Sequence, residues 1–572
     1  MAEILDTIKN ILGIEKKEEK TLEDKAKEIE TLAQDLRKER LNFEKRWLLI
    51  DRFLRGNHFE VWRPATNEIG KVVFPTGINV RPIHYAVRIA EGIMNNLLAS
   101  DPRWKVFPRG LSQIQSEEER KRKIENAKKI AYYFDNLYDS ENLRAKLHEL
   151  CWNGIKYGFG IMECYWDNGP RFRVLDNFDV LFDPTVNDIQ NSRYIIKEVA
   201  VDLDKVQANE LYSDAKFELK EEGKISGSSF KETQLKEKHG SKVGEKKVLI
   251  REAWIENPEG GWDCIHICQG KILFNEHYNF SRPPFVSWSF LPEPLLQTSF
   301  VERIIPLNRA LDITLAQIEA WVRTVAVGRM LKQETVKVNR ILGEHGEIIN
   351  VNGPLDAISW LPVPEIGATI FNYLNELKSL MGETAAAMAA MGRVPRGTRV
   401  GYKLVETLKA TEVSSIQHGT RKLEEALERL GEVVLMMIAA FGEVPIEAQY
   451  RNEYFELVGK EWATNFSNAI PVSDVDYSLD VSIESGLAYT TEAKRALAIE
   501  LAKAKLIDRK TALEILAIGG DTEEIAQRAL KELEEEEKIK SGKIASVLDA
   551  EDFQKLSDET KRLVLQELLG QT

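Results

Sequence analysis

Apolar residues recur at three- and four-residue steps along several long stretches of the chain, and such stretches predict helices. Leu32, Leu36, Phe43, Trp47, Ile50 and Leu54 mark the first, from Thr21 to about Arg55. Gly56 follows, and glycine accepts the left-handed conformation that closes a helix. A second pattern runs from about Ile83 to Leu98 and stops at Asp101-Pro102. From Glu117 to Lys129 charges of both signs intersperse, the mark of a solvated helix face. The texture changes after Gly154. Ile161 to Trp166, Arg171 to Leu175 and Tyr194 to Val201 are short and β-rich, and Val248 to Glu256 and Trp262 to Phe274 continue them. Between these groups residues 217–247 hold too little apolar surface to offset the entropy of ordering, which predicts a mobile loop.

Farther on, Phe300, Ile304, Leu307, Leu311, Leu315, Ile318 and Val322 form an apolar helical stripe. Pro306 is expected to start a new helix there or to kink this one. Residues 328–364 mix strand and turn character, and a second helix carries Ile366, Ile370, Leu374, Leu377, Met381 and Thr384 on one side. A very long helix follows from about Tyr402 to Phe441, with Gly419 as an expected bend. At ~1.5 Å per residue it reaches ~60 Å. Tyr477 to Ile483 is β-like, and Thr491 to Gly570 is helical in pattern. The fold class predicted is α+β, mainly helical, with long helices as its spine.

Composition narrows the function. The 572 residues carry 78 basic and 91 acidic side chains, a net charge of −13, and 43% are hydrophobic. That mix excludes collagen-like, purely coiled-coil and wholly disordered chains. The acidic balance argues against a generic DNA coat, because phosphate affinity comes from Lys and Arg. Four cysteines are too few to staple a chain of this size, so a reducing interior is expected. The longest apolar run, Val433 to Phe441, is far short of the ~18 residues of a membrane span. The first twenty residues lack the basic start, apolar core and cleavage site of a signal peptide.

Enzymatic motifs are sparse. Each Gly-Lys pair (Gly70, Gly223, Gly270, Gly459, Gly542) is followed by Val, Ile or Glu, so no phosphate-cradling Gly-Lys-Ser/Thr loop exists. Gly154, Gly158 and Gly160 lead into a strand rather than opening a helix, which makes them a structural turn and not a dinucleotide fingerprint. Cys264-Ile265-His266-Ile267-Cys268 puts Cys264, His266 and Cys268 on one strand face and both isoleucines on the other. Successive same-face positions are ~6.5 Å apart, too far for all three to meet one tetrahedral zinc, so buried cysteines are the preferred reading. Neither a zinc-protease His pair nor a Gly-x-Ser-x-Gly elbow occurs. No metal, cofactor or catalytic residue is therefore expected.

One basic constellation stands apart. Residues 384–405 contain no Asp or Glu, although acids average about one residue in six. Arg393, Arg396, Arg399 and Lys403 lie there among Gly392, Pro395, Gly397 and Gly401. Such a loop can meet phosphates without reading bases, or its charges can simply pair with nearby carboxylates.

The order of these features carries a family likeness. The N-terminal helix with Trp47 and Gly56 comes first, then Asp101-Pro102 and the Gly154/Gly158/Gly160 turn to Trp166. Asp183-Pro184, Asp188, Arg193-Tyr194 and Pro284-Phe285 follow, before the Pro306-Leu307-Asn308 helix and the Gly401-Tyr402-Lys403-Leu404 opening of the long helix. From about Leu41 to Gly486 this combination resembles the portal proteins of tailed bacteriophages, ring subunits at the DNA entrance of the capsid.

The resemblance implies an N-terminal segment (1–40), a wing (41–295), stem helix 1 (296–325), a clip (326–364) and stem helix 2 (365–385). A tunnel loop (386–400), a long wing/crown helix (401–443), a wing β segment (444–488) and a crown (489–572) would follow. It implies a ring, usually of twelve copies, in which Phe300, Ile304, Leu307, Leu311, Leu315, Ile318, Val322, Ile366, Ile370, Leu374, Leu377 and Met381 pack neighbouring subunits. It also implies double-stranded DNA bound without sequence specificity, and Arg393, Arg396, Arg399 and Lys403 facing it. The expected partners are the terminase motor, the major capsid and scaffolding proteins and a head-tail adaptor. The expected place is a capsid vertex of the virion, after assembly in the host cytoplasm. Two other readings stay open: a different phage head or tail ring or adaptor, and a metal-dependent enzyme built on Cys264, His266 and Cys268.

Overall fold

The first helix, α1 (Leu22–Leu54), has two buried stretches that serve two different cores. Ala26, Ile29, Leu32, Ala33 and Leu36 lie on an apolar sheet face, whereas Trp47, Ile50 and Phe53 enter the main core. Gly56 ends the chain's helical path at φ +98°, its amide donating to the Phe53 carbonyl at 2.9 Å. The computed structural model describes residues 22–483 except 67, 76–77, 99–100, 240–243, 292–293, 325–329, 333–336, 339–350, 353–357, 361–366, 385–401, 452 and 474. All of them belong to the first of the chain's two compact units, residues 1–485.

A small antiparallel pair, β1 (Glu60–Arg63) and β2 (Glu68–Lys71), leads to α2 (Tyr85–Leu97) and β3 (Arg103–Pro108). α3 (Glu117–Ser140) starts at Ser116, whose hydroxyl accepts from the Glu119 amide. Its first two turns are exposed, as their mixed charges predict, and Ile130, Phe134 and Leu137 then bury it. α4 (Leu143–Tyr157) turns into β4 (Phe159–Trp166) through the three glycines. A Cβ on Gly154 would lie 2.4 Å from the Trp288 ring, and one on Gly160 would lie 2.3 Å from the Leu150 carbonyl oxygen. Gly158 between them has φ +103°. The cluster is a helix-to-strand corner with no room for side chains.

β4 is the middle strand of a three-stranded sheet between β5 (Pro170–Leu175) and β11 (Phe285–Ser289). Beside it stands a five-stranded antiparallel sheet in the order β10 (Lys271–Tyr278), β9 (Trp262–Cys268), β8 (Lys247–Glu256), β7 (Tyr194–Asp202), β6 (Val180–Phe182). Trp262 to Phe274 is thus two strands. Gln269 and Gly270, both at positive φ, make the two-residue turn that strand twist favours.

Residues 217–247 depart from the expected loop. A short helix, α5 (Leu203–Ala208), precedes them, and α6 (Ser229–His239) lies inside them. Leu219 is a buried apolar anchor, and polar ties add to it. The Ser228 hydroxyl donates to Glu44, the Ser226 hydroxyl to Asp179 at 2.8 Å, and Lys231 pairs with Asp176 at 2.9 Å. Carboxylates far away in sequence, the buried Glu44 among them, add order that local hydrophobicity could not supply.

Those carboxylates form part of a charge network beneath α1. Glu44 takes Arg37 and Arg40, and Glu198 takes Arg37 and, at 3.0 Å, Arg251. Burial works against the charge on Glu198, but Arg37 and Arg251 outweigh it and hold this carboxyl below the usual glutamate range. Burial dominates at Arg40 and brings its pKa down to about 10.

α7 (Phe300–Thr324) runs as one helix through Pro306, which is exposed, so no new helix begins there. Beyond it β12 (Met330–Lys332) pairs with β15 (Ile358–Trp360), enclosing the pair β13 (Lys337–Val338) and β14 (Val351–Asn352). α8 (Ala368–Thr384) and α9 (Tyr402–Phe441) follow. β16 (Ile446–Tyr450) is antiparallel and β18 (Ala469–Val472) parallel to β17 (Glu453–Gly459). β19 (Tyr477–Ser482) returns to pair with β3. The sequence reads as mainly helical; seven sheets among the described residues make mixed α/β the class the structure supports.

The second half of α9 is the most buried helical stretch, with Leu423, Leu427, Leu430, Val433, Val434 and Ile438 all in the core. Gly419, the expected bend, is a contact point, since a Cβ there would lie 2.8 Å from the Phe290 ring. The Trp288 indole donates to the Gly419 carbonyl at 3.0 Å, and the Trp104 indole to the Leu427 carbonyl at 2.9 Å. Glu424 and Glu428 of the same helix accept the amides of Ile483 and Val481.

Candidate functional site

α7 is fastened to the N-terminal part of the chain by a buried polar knot. Asp312 and His58 are both fully enclosed and lie 2.5 Å apart. Asp312 also accepts the Ile83 amide at 3.0 Å. Asn308, one turn earlier, accepts the Ala86 amide at 3.0 Å and donates to the Ile83 carbonyl at 3.0 Å. α2 begins at Tyr85 without a side-chain cap of its own, so α7 supplies the acceptors its first amides need. Arg309 donates to the carbonyls of His58 and Glu60 at 2.6 and 3.1 Å. The Pro306-Leu307-Asn308 motif thus has a physical role: its asparagine ties α7 to the start of α2.

The apolar stripe of α7 divides at about this knot. Phe300, Ile304 and Leu311 are buried in the chain's own core, Leu307, Leu315 and Ile318 pack partly against it, and Val322 is exposed. On α8, Leu374, Leu377 and Met381 are buried, and α7 and α8 pack on each other. Six of the residues expected to pack neighbouring subunits are therefore covered within the single chain. The reason is that α7 docks its first half in the main core, and α8 packs on α7. What stays uncovered overlaps the expected set only at Val322 and Ile370 and adds Phe371, Tyr373 and Leu380, each of the five between 41% and 49% exposed. Ile370 is the only predicted α8 residue among them. At 100° per residue, Tyr373 and Leu380 flank the buried stripe on one side, two turns apart. A helical wheel could have found them, but it could not say which flank the chain itself leaves open.

Ile366, Arg393, Arg396 and Arg399 lie outside the described residues, and Lys403 sits in the first turn of α9. The crown and tunnel-loop assignments also fall outside them. The interval 296–325 contains α7, 326–364 the nested strand pairs and 365–385 α8.

The Cys-Ile-His-Ile-Cys strand is β9, and its alternation is as expected. Ile265 and Ile267 face the apolar layer shared with α1, and Cys268 lies in a separate cluster with Val206, Val248 and Leu273 on the other side. The neighbouring strand adds what the sequence did not reveal. Glu252 is the cross-strand partner of His266, and one ligand atom each from Glu252, Cys264 and His266 lies within 4.8 Å of the others. Lys197, the next partner across the sheet, contacts Glu252 at 2.7 Å and also pairs with Glu163. Burial opposes the Lys197 charge, but Glu252 and Glu163 prevail and raise its pKa.

Among comparisons with known proteins, the family model described as phage SU10 portal protein matches residues 130–473. The match spans α4 to β18 and so includes α7, the nested strands, α8 and α9. No curated protein matches the chain.

Proposed function

The chain belongs to the phage SU10 portal protein family, a family of tailed-phage portal proteins, and from that premise we propose that its copies form a ring at one capsid vertex. The axial hole of that ring is the passage through which double-stranded DNA is packaged and ejected. The observation that carries the proposal is the exposed apolar surface of α7 and α8. Val322, Ile370, Phe371, Tyr373 and Leu380 expose large apolar side chains on helices that bury other apolar positions within the chain. A neighbouring copy is the natural cover for such a patch.

DNA in such a passage must slide. A net charge of −13 suits a wall that repels phosphate, with sparse positive positions to centre the duplex. Arg393, Arg396, Arg399 and Lys403 are our candidates for those positions. Screening limits each charge to about 8 Å at physiological salt, so only residues close to the axis act on the strand. The nested strand pairs between α7 and α8 are the proposed clip, the docking surface for the terminase motor and then for the head-tail adaptor. A twelvefold ring and contact with capsid and scaffolding proteins complete the proposal. Class averages of the purified full chain by negative-stain microscopy test it. Mushroom-shaped rings with an axial hole support it, and single protomers or closed assemblies without a bore reject it.

A further inference from the structure

We propose that Glu252, Cys264 and His266 form a site for a divalent, borderline-soft metal ion, with zinc the best fit. The sequence alone disfavours zinc because three alternate residues of one strand are spread too far. The structure replaces the distant third residue with a carboxylate from the adjoining strand, and this shortens the triangle. Cys264 Sγ lies 3.5 Å from His266 Nε2, and that nitrogen lies 3.8 Å from Glu252 Oε2. A tetrahedral zinc with ~2.3 Å bonds to sulfur and ~2.0–2.1 Å bonds to nitrogen and oxygen sets edges of ~3.5 Å and ~3.4 Å. The first edge is already met, and the second closes with a small rotation of one carboxylate.

The surroundings favour the same geometry. The Tyr212 hydroxyl stands 3.2 Å from His266 Nδ1. With Nδ1–H donating to that oxygen, the Nε2 lone pair points toward the cysteine and the glutamate, the arrangement that orients a metal-bound imidazole. The Trp254 indole donates to Glu252 Oε1 at 2.9 Å, which fixes the carboxylate and leaves Oε2 toward His266. Lys197 contacts that same Oε2, and it keeps Glu163 as a partner when a metal takes the oxygen. The side chains of His266 and Glu252 are 19% and 16% exposed, so an ion can enter from solvent, which also supplies the fourth ligand as water. On binding, the Cys264 thiol proton passes to the buffer and a sulfur–metal bond replaces it, with no change of oxidation state. Such an ion pins β8 to β9 and stiffens the five-stranded sheet.

The test uses untagged full-length protein exposed to zinc and then dialysed. About one zinc per chain is expected in the parent and in Cys268→Ser, whose thiol lies outside the triangle. Cys264→Ser and His266→Ala are expected to bind about 10–100-fold more weakly or to lose the ion. A parent chain without zinc, or equal retention by Cys264→Ser and His266→Ala, overturns the site. Cobalt loaded into the parent gives an independent reading that needs no folded triad variant. A thiolate-to-cobalt charge-transfer band that persists in Cys268→Ser supports Cys264 as the ligand, and a spectrum without that band rejects it.

Discussion

The imidazole of His58 and the carboxylate of Asp312 meet at 2.5 Å with neither side chain reaching solvent, although 254 residues separate them. Asp312 serves the Ile83 amide as well, so its loss orphans more than one buried donor. Each orphan costs about 1–3 kcal/mol. Asp312→Ala is expected to lower the stability of the isolated chain by a few such increments, read as a fall in the urea midpoint. Asp312→Glu, too long for the enclosed space, is expected to restore little. A variant as stable as the parent would show that the knot does not fasten α7.

The apolar flank of α8 is exposed, so changing it leaves the isolated fold nearly untouched, within about 0.5 kcal/mol for an exposed position. Tyr373→Asp combined with Leu380→Asp is expected to keep the circular dichroism and melting of the parent protomer. The same pair is expected to abolish ring formation in light scattering after gel filtration. Rings of unchanged mass would remove this flank from the subunit interface.

The helix-to-strand corner predicts sharp intolerance. Gly160→Ala drives a methyl toward the Leu150 carbonyl, and Gly154→Ala drives one into the Trp288 ring. Overpacking of this kind costs about 1–3 kcal/mol. Both variants are expected to melt earlier than a control such as Gly367→Ala, where the nearest atom to the missing Cβ is Thr369 Oγ1 at 3.9 Å. Equal melting for all three would mean the corner relaxes freely.

Acid stability should report Glu198. Its folded pKa lies below the ordinary 4.5, so its contribution is complete above that value and is lost as the pH falls through the lower folded value. Glu198→Gln breaks a buried pair and is expected to cost about 3–5 kcal/mol at neutral pH. The gap between parent and variant is expected to narrow on acidification. Parallel stability–pH curves would show that the carboxylate keeps an unshifted pKa.

Replacing Arg393, Arg396, Arg399 and Lys403 together by Ala is expected to leave ring assembly intact and to alter DNA packaging or retention. Packaging assays with the variant decide the matter, and unchanged packaging and retention would reject the DNA-facing role.

Local pattern revealed most of the helices and strands, because periodicity depends on a residue's near neighbours. α9 spans Tyr402–Phe441, the limits its apolar spacing predicts, and Gly56 closes α1 as its lack of a side chain implies. Periodicity failed where order comes from distant polar partners. Ser226 and Ser228 look like loop residues until Asp179 and Glu44 are brought beside them. Glu252 could not be joined to Cys264 and His266 without the strand register. The α7 stripe was visible as a stripe, but its division between Phe300, held inside, and Val322, left outside, depends on where the main core stops covering the helix.

The two indoles that reach the backbone of α9 contact it eight residues apart, at Gly419 and Leu427, or ~12 Å along its axis. They act as pegs in a shaft: a slip of a single residue would unseat both at once and drive ring atoms into new side chains. Force applied to the end of the shaft nearest residue 402 is therefore borne by the strands that carry the pegs, β3 and β11. The helix answers a push as a lever and not as a piston.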